Sequence, residues 1–240
     1  MPRPLLLVGA GGFARETADA VRALDGAFVL AGFLDDNPEL YGQSISGAPV
    51  LGPIDAVHDY PDAAVVVCVG RPDAYTARRA IVARLGLPPE RYATVVHPSA
   101  AVGSTCRIGR GSVVLAHVAL TADVVVGQHV TIMPQVVVTH DGRIDDYATL
   151  ASGVRLGGGV HVGTGAYLAS GVLVREGLSL GAWAMIGMGS LVTRDVPAER
   201  LWFGSPARDV RPAPLPWRSG DLRSVRQGAD GYHHELGPLS

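Results

Sequence analysis

Aliphatic residues recur at every sixth position through the middle of the chain, from Val96 to Val192. Each of these positions holds Val, Ile or Leu, and the residue four places after each one is small or aliphatic. A fixed short period of this kind is typical of a parallel β-helix, in which every six-residue unit forms one short strand and one turn. Three units then complete one coil, and both recurring positions point into its core. Glycine often follows the aliphatic residue, where we expect it to permit the turn geometry.

Before this repeat, apolar runs alternate with segments of helical character. The predicted strands are Leu5–Val8, Phe28–Leu34 and Ala63–Val69, and the predicted helices run from Phe13 to Leu24 and over about Ala74–Leu85. Alternating strands and helices predict a small parallel sheet. We therefore expect a Rossmann-like domain at residues 1–95, the β-helix at 96–200, and a cap with an extended tail at 201–240.

Glycines and acidic residues lie where the predicted strands of the first domain end. A glycine turn between a strand and a helix leaves backbone N–H groups free to hold a phosphate, and an acidic residue about 20 residues later can bind ribose. These features predict a nucleotide site at Gly9, Gly11, Gly12, Asp35, Asp36, Gly70 and Arg71. The alternative is that these turns serve the fold and bind no ligand. NAD is a poor fit, because no second mononucleotide-binding half follows.

The composition narrows the range of partners. A net charge of −2 offers no reason to expect nucleic acid or an anionic membrane surface. No apolar run reaches the ~18 residues that a membrane-spanning helix needs, and the N-terminal apolar run is too short for a signal peptide. The two cysteines are interpreted as small buried hydrophobes in a reducing compartment, not as a disulfide or metal pair. We therefore expect a cytoplasmic protein without a metal.

Four segments together resemble one family over residues 4 to about 210. They are Leu7–Glu16, Phe33–Asp36, Thr139–Asp141 within the repeats, and Gly204–Arg208 after them. The chain resembles the sugar acyltransferases of the sialic-acid O-acetyltransferase type, which include N-acetyltransferases acting on nucleotide-linked 4-amino sugars. The resemblance implies a left-handed β-helix and a homotrimer with acetyl-CoA, the co-substrate, in the groove between neighbouring prisms. The N-terminal domain would hold the nucleotide-sugar substrate.

The resemblance also implies a catalytic centre on the repeats. His140 would be the general base that takes a proton from the acceptor, and Asp141, the next residue, would orient its imidazole. Gly158 lies 18 residues after His140, which is one coil further along the same flank. Its N–H would contact the acetyl carbonyl and stabilise the oxyanion.

Two positions depart from the family pattern. Thr149 stands nine residues after the base, where relatives often carry a second histidine, and it can donate a hydrogen bond at the acetyl-CoA site but cannot share the proton. Arg71 stands where the family often has Asn, and it would neutralise a diphosphate or pair with a nearby acid. The family segment near the CoA adenine corresponds to Gly204, Pro206 and Ala207.

Acyl transfer to the amine of a nucleotide-activated sugar is the function that these features favour. O-acetylation of a sugar hydroxyl would use the same base and stays open. A non-catalytic trimeric scaffold, or a protein that only binds sugar nucleotides, is the alternative from another class. The remaining histidines on the repeats have no adjacent carboxylate and are interpreted as flank residues: His117, His129 and His161. The tail with Trp217 is predicted to be extended, and the pair His233–His234 to be solvated.

Overall fold

The computed structural model describes residues 2–24 and 26–216. Its N-terminal unit contains β1 (Arg3–Val8), α1 (Gly12–Ala23), β2 (Phe28–Leu34), β3 (Ser44–Ile45), β4 (Ala48–Gly52), β5 (Ala64–Val67) and α2 (Ala77–Leu85). Short 3₁₀ turns at Pro38–Leu40, Ile54–Asp59, Pro72–Ala74 and Pro89–Arg91 connect them. The sheet order is β3-β4-β2-β1-β5, parallel except for the β3–β4 hairpin.

Both sides of this sheet are covered, as the continuous apolar run in β1 requires. Leu5 and Leu7 pack with Ala14, Ala18 and Val21 of α1 on one side. The alternate residues of β1 pack on the other side with Leu85 at the end of α2. Because the chain adds β2 on one side of β1 and β5 on the other, the carboxyl ends of β1 and β5 form a crevice of the kind that binds ligands in open α/β sheets.

From Val95 the chain forms two-residue strands at six-residue intervals. They are β6 (Val95–Val96), β7 (Ala101–Val102), β8 (Arg107–Ile108), β9 (Val113–Val114), β10 (Ala119–Leu120), β11 (Val125–Val126), β12 (Thr131–Ile132), β13 (Val137–Val138), β14 (Arg143–Ile144), β15 (Thr149–Leu150), β16 (Arg155–Leu156), β17 (His161–Val162), β18 (Tyr167–Leu168), β19 (Leu173–Val174), β20 (Ser179–Leu180), β21 (Met185–Ile186) and β22 (Leu191–Val192). Each pairs in parallel with the strand one coil away, as Thr131 with Thr149.

The strands form the three faces of a prism. The first face contains β6, β9, β12, β15, β18 and β21, the second β7, β10, β13, β16, β19 and β22, and the third β8, β11, β14, β17 and β20. The second residue of most strands points inward, where the aliphatic positions of the hexads form one continuous buried core. The fold class is confirmed: a small, mainly parallel sheet domain precedes a left-handed parallel β-helix.

The turns use glycine differently from our expectation. The left-handed residue is the third after the inward aliphatic, as at Asp141 (φ 59°) and Tyr147 (φ 62°), and not the first. Glycine at the first position serves close packing between coils instead. A Cβ on Gly157 would lie 2.5 Å from the backbone nitrogen of Glu176 in the next coil. Glycine at this position is therefore required by the short distance between coils and not by the backbone torsion.

The N-terminal unit covers the first face, so the outward residues Val95, Val113, Thr131 and Thr149 are all buried. At the end of the prism a hairpin of β23 (Arg200–Gly204) and β24 (Ala207–Pro212) extends this face by pairing with β21. Within the described residues no helix is long and apolar enough to cross a membrane. The expectations for Trp217 and for His233–His234 lie outside the described residues.

Candidate active site

The His140–Asp141 pair lies in the turn between β13 and β14, at the edge where the second face meets the third. The imidazole Nδ1 is 2.8 Å from Oδ2 of Asp141, and both side chains are 68% exposed. Asp141 adopts the left-handed turn conformation, and its amide donates to the carbonyl of Ala122 at 3.0 Å. Asp and Asn tolerate this conformation better than most residues. The turn thus places a carboxylate beside the histidine that precedes it.

Gly158 lies under the imidazole, as the one-coil spacing predicts. A Cβ on Gly158 would be 2.5 Å from Cε1 and 2.6 Å from Nε2 of His140. The Gly159 amide donates to the His140 carbonyl at 2.8 Å, which holds the two coils in register. The amide of Gly158 donates to no other described residue. Only glycine therefore leaves room for the ring at this position.

This arrangement suits the imidazole to general-base chemistry. When Nδ1–H donates to the Asp141 carboxylate, Nε2 carries the free lone pair and can accept a proton. The carboxylate also stabilises the imidazolium that results. A free backbone N–H on the adjacent coil is the kind of donor that stabilises a developing oxyanion.

The N-terminal unit carries a second candidate site in its crevice. Gly9 has φ +100°, and a Cβ there would be 2.9 Å from the Cys68 carbonyl, so the loop after β1 lies against the end of β5. Gly11 forms the N-cap of α1, and a Cβ on it would meet nothing within 4 Å. Gly12 begins the helix, and both residues are exposed. The crevice therefore presents open backbone at a helix N-terminus.

The two acidic residues at the end of β2 already have partners in the protein. Asp35 accepts hydrogen bonds from the amides of Ala10 at 2.8 Å and Asn37 at 2.9 Å, so it holds the glycine loop. Asp36 accepts from the Ile54 amide and pairs with Arg84 at 2.7 Å. The expected contact of these carboxylates with ribose or a base stays a prediction.

Gly70 and Arg71 follow β5 and form the other wall of the crevice. Of the two alternatives for Arg71, an ion pair with a nearby acid is present: Nη2 is 2.7 Å from Oδ2 of Asp73, and Nε is 3.1 Å from Oδ1. The pair is largely exposed, and an exposed pair contributes only about 0–1 kcal/mol to stability. The contact of Arg71 with a diphosphate stays a prediction.

The structure does not place Thr149 in the His140 turn. Thr149 begins β15 on the first face, is buried, and accepts a hydrogen bond from Nη2 of Arg78 at 2.7 Å. Within this chain the N-terminal unit covers its hydroxyl. A direct contact between Thr149 and acetyl-CoA stays a prediction.

The segment after the repeats lies at the far end of the first face. Gly204 has φ +107°, and its amide donates to the Ser190 hydroxyl at 3.1 Å. Pro206 follows a cis peptide bond, and Ala207 is buried at the start of β24. Ser190 lies almost three coils beyond His140, or roughly 13 Å along the prism axis at ~4.8 Å per coil. The two groups of residues are thus separated along the prism axis.

Two arrangements were not predicted from the sequence. Nε2 of His161 is 2.8 Å from Oδ2 of Asp145, 16 residues earlier, and Arg143 also donates to that carboxylate. A carboxylate on the neighbouring coil is the signal that could have indicated this pair. The other arrangement is the buried guanidinium of Arg78, for which the sequence carries no signal beyond a charge on a helix.

Among the described residues, no group of three His, Cys, Asp or Glu could hold a metal ion.

Comparison with known proteins agrees with both parts of the fold. A family model described as the PglD N-terminal domain matches residues 4–85. No match to a curated protein is found for the chain.

Solved structures match nearly the whole chain. Perosamine N-acetyltransferase of Caulobacter crescentus, a histidine-to-asparagine variant in complex with CoA and GDP-perosamine, is 28% identical over 86% of this chain and 96% of that chain, with a TM-score of 0.77. The acetyltransferase domain of PglB from Neisseria gonorrhoeae, in complex with acetyl coenzyme A, is 28% identical over 88% and 100%, with a TM-score of 0.79. WeeI from Acinetobacter baumannii is 27% identical over 86% and 99%, with a TM-score of 0.71.

Proposed function

We propose that this chain is a hexapeptide-repeat sugar acyltransferase that transfers the acetyl group of acetyl-CoA to the amine of a nucleotide-linked amino sugar. The observation that carries the proposal is the His140–Asp141 pair lying over Gly158. The Caulobacter relative is an N-acetyltransferase in complex with CoA and GDP-perosamine, which supports this donor and this class of acceptor.

The mechanism follows from the proton inventory. The acceptor amine attacks the thioester carbonyl, and Nε2 of His140 takes the proton that the nitrogen loses. Asp141 orients the imidazole and stabilises its charged form. The Gly158 N–H donates to the oxyanion of the tetrahedral intermediate. Collapse of the intermediate expels the CoA thiolate, which needs little help because a thiol pKa is about 8.5.

The acceptor is proposed to bind in the crevice of the N-terminal unit. The open backbone at Gly11 and Gly12 forms the N-terminus of α1, where a diphosphate would gain hydrogen bonds and a favourable interaction with the helix dipole. Gly9 allows the close approach of the two loops, and Asp35 holds the loop in place. Gly70 and Arg71 line the opposite wall, and Asp36, which follows β2, is paired to Arg84 of α2.

Acetyl-CoA is proposed to lie in the groove between neighbouring prisms, parallel to their axes, from the His140 turn toward a final hairpin. CoA is a long ligand, and an axial separation of roughly 13 Å between the His140 and Ser190 coils, at ~4.8 Å per coil, fits an extended pantetheine arm. Gly204, Pro206 and Ala207 would then lie near the adenine. Thr149 would contribute to the position of the N-terminal unit and not to acetyl-CoA binding, through the hydrogen bond that its hydroxyl accepts from Arg78.

A homotrimer is proposed because one prism encloses no groove around His140. The outward positions of the second face, which ends at the His140 turn, are mostly apolar: Ala101, Ala119, Val137, Arg155, Leu173 and Leu191. Leu173 is 43% exposed. Packing this face against neighbouring copies would bury apolar surface and form a groove with cyclic symmetry. Light scattering at micromolar protein should give three times the chain mass, and a monomeric mass would refute the shared site.

The decisive experiment is product formation from defined substrates. The protein is incubated with acetyl-CoA and a panel of nucleotide-linked amino sugars that includes GDP-perosamine, and mass spectrometry follows the gain of one acetyl group. Treating the product with hydroxylamine separates an amide, which survives, from the ester that O-acetylation would form. A His140→Ala variant is the matched control. No acetylated product from any acceptor would refute the proposal.

A further inference from the structure

Arg78 is the one arginine of the described residues that is almost completely buried. Its side chain is 1% exposed, and it forms no ion pair with a carboxylate among the described residues. Burial lowers its pKa to about 10, so the guanidinium is still charged at neutral pH. Burying a charge is costly, and it persists only where several polar groups satisfy it.

The guanidinium of Arg78 joins the two units of the chain. Toward the N-terminal unit, Nη1 donates to the carbonyl of Val69 at 3.3 Å, and a Cβ on Gly70 would be 3.3 Å from the same nitrogen. Arg78 therefore lies directly beneath the loop that follows β5. That loop is one wall of the crevice proposed for the nucleotide sugar.

Toward the prism, the same guanidinium contacts two successive coils. Nη1 donates to the hydroxyl of Thr131 on β12. Nη2 donates to the hydroxyl of Thr149 on β15 at 2.7 Å and to the carbonyl of Tyr147 at 2.9 Å. Thr149 and Tyr147 follow His140 by nine and seven residues, so they lie on the coil that begins at its turn.

A tie that served stability alone would not need a charge, because apolar residues of similar volume usually stabilise a buried position as well or better. What a planar guanidinium adds is direction, since its donors fix several acceptors at once. We propose that Arg78 is a positioning residue that fixes the acceptor crevice relative to the coil of His140. This proposal rests on the function proposed above. It adds that the buried guanidinium keeps the acceptor crevice at a fixed distance from the coil that carries the base.

The consequence is a defect in turnover without a defect in binding. Arg78→Met keeps the apolar stem and removes the tie, so the crevice and the His140 turn each remain but their spacing relaxes. A misplacement of about 1 Å can lower a rate about 100-fold. We expect a 10- to 100-fold lower kcat with the best acceptor of the panel, and less than a twofold change in the Kd for acetyl-CoA.

Two further variants separate positioning from folding. Thr131→Val removes one hydroxyl partner of Arg78 with little change in volume, and it should lower kcat in the same direction by a few-fold. Arg79→Met is the matched control, because Arg79 is the next residue on α2 and its guanidinium lies over the Trp183 ring, 5.7 Å from the centroid. Its kcat should stay within twofold of the unmodified protein.

The number of acetyl-CoA sites per chain, measured by calorimetry, distinguishes the two explanations, because a folding defect would lower it. If Arg78 positions the acceptor, the number of acetyl-CoA sites per chain stays unchanged in Arg78→Met and Thr131→Val while kcat falls. An unchanged kcat in Arg78→Met, or a fall that only matches a loss of sites, overturns the proposal. If Arg78→Met does not fold, Thr131→Val decides by the same two criteria. Failure of the unmodified protein to acetylate any acceptor refutes the proposed function itself, and this inference with it.

Discussion

The imidazole of His140 lies directly against the Cα of Gly158, one coil further along the prism. A methyl group on Gly158 would overlap Cε1 and Nε2, whereas its backbone N–H would be unchanged. The ring can rotate away, because it is largely exposed and, within the described part of the chain, its one hydrogen bond is to Asp141. Gly158 therefore determines where the proposed base points.

Gly158→Ala should lower kcat by about 10- to 100-fold through displacement of the imidazole. The melting temperature should change little, because the overlapping group is a movable side chain. Gly157→Ala is the contrasting variant, since its Cβ would lie 2.5 Å from the backbone of Glu176, and it should lower the melting temperature. Steady-state kinetics and thermal unfolding test both variants. Full activity in Gly158→Ala would show that the ring position is irrelevant to catalysis.

His140→Ala should lower kcat at pH 7 by about 10²–10⁴-fold, the range for a positioned general base. The Kd for acetyl-CoA should stay nearly the same, because the change removes only the base. Asp141→Asn should cost less, since Asn accepts the left-handed turn (φ 59°) but cannot stabilise the imidazolium.

The deficit of His140→Ala should shrink as the pH rises, because the acceptor then loses its proton without help. Rates at pH 7 and above the amine pKa measure this. Near-full activity of the variant at pH 7 would exclude His140 as the base.

Gly11→Val should abolish binding of the nucleotide-linked acceptor while the Kd for acetyl-CoA stays unchanged. Its Cβ would project into open space, so the loss would come from blocked approach of the ligand to the backbone. Valine at an N-cap costs about 1 kcal/mol, a small loss of stability. Gly9→Ala is the contrast: it would force a Cβ to 2.9 Å from the Cys68 carbonyl and should destabilise the domain. Unchanged acceptor affinity in calorimetry of Gly11→Val would place the acceptor elsewhere, and equal loss of both ligands would mean misfolding or a wrong site.

His129 makes the interface between the N-terminal unit and the prism sensitive to acid. Its ring is 96% buried, stacks on Tyr147 with centroids 5.3 Å apart and meets Tyr92 edge-on at 4.6 Å. Burial, and then the charge of Arg78, lower its pKa to about 4, while Asp146 opposes the shift. In the unfolded chain a histidine titrates near pH 6.5, so between about pH 6.5 and 4 the unfolded state binds the additional proton.

Stability should therefore be lost progressively as the pH falls from about 6.5 to 4, by about 3 kcal/mol from this residue. His129→Phe keeps an aromatic ring and removes the titration, so its unfolding free energy should fall less over the same interval. Urea unfolding at several pH values gives the unfolding free energy of each protein. Because both proteins share the same carboxylates, the contribution of these groups cancels in the difference. Parallel curves would show that His129 does not carry the acid sensitivity.

Much of the site follows from the period of the repeat alone. Because each coil contains three hexads, residues 18 apart are neighbours, and this spacing by itself places Gly158 beneath His140. The hexad pattern also predicts the narrow core of the prism. In a two-residue strand one side chain points inward and the other outward, so each strand buries a single aliphatic residue. The same arithmetic brings His161 near a carboxylate on the preceding coil, a pairing that adjacency in the sequence does not indicate.

Only the tertiary structure decided how the N-terminal unit sits on the first face. Thr131 and Thr149 occupy outward positions that a repeat pattern predicts to be exposed, yet both are buried and bonded to Arg78. Asp35 and Asp36 likewise bind backbone and arginine groups from distant segments. Periodicity determines neighbours within a repeat because the spacing between coils is constant, whereas contacts between separate units depend on which surfaces pack together across long sequence distances.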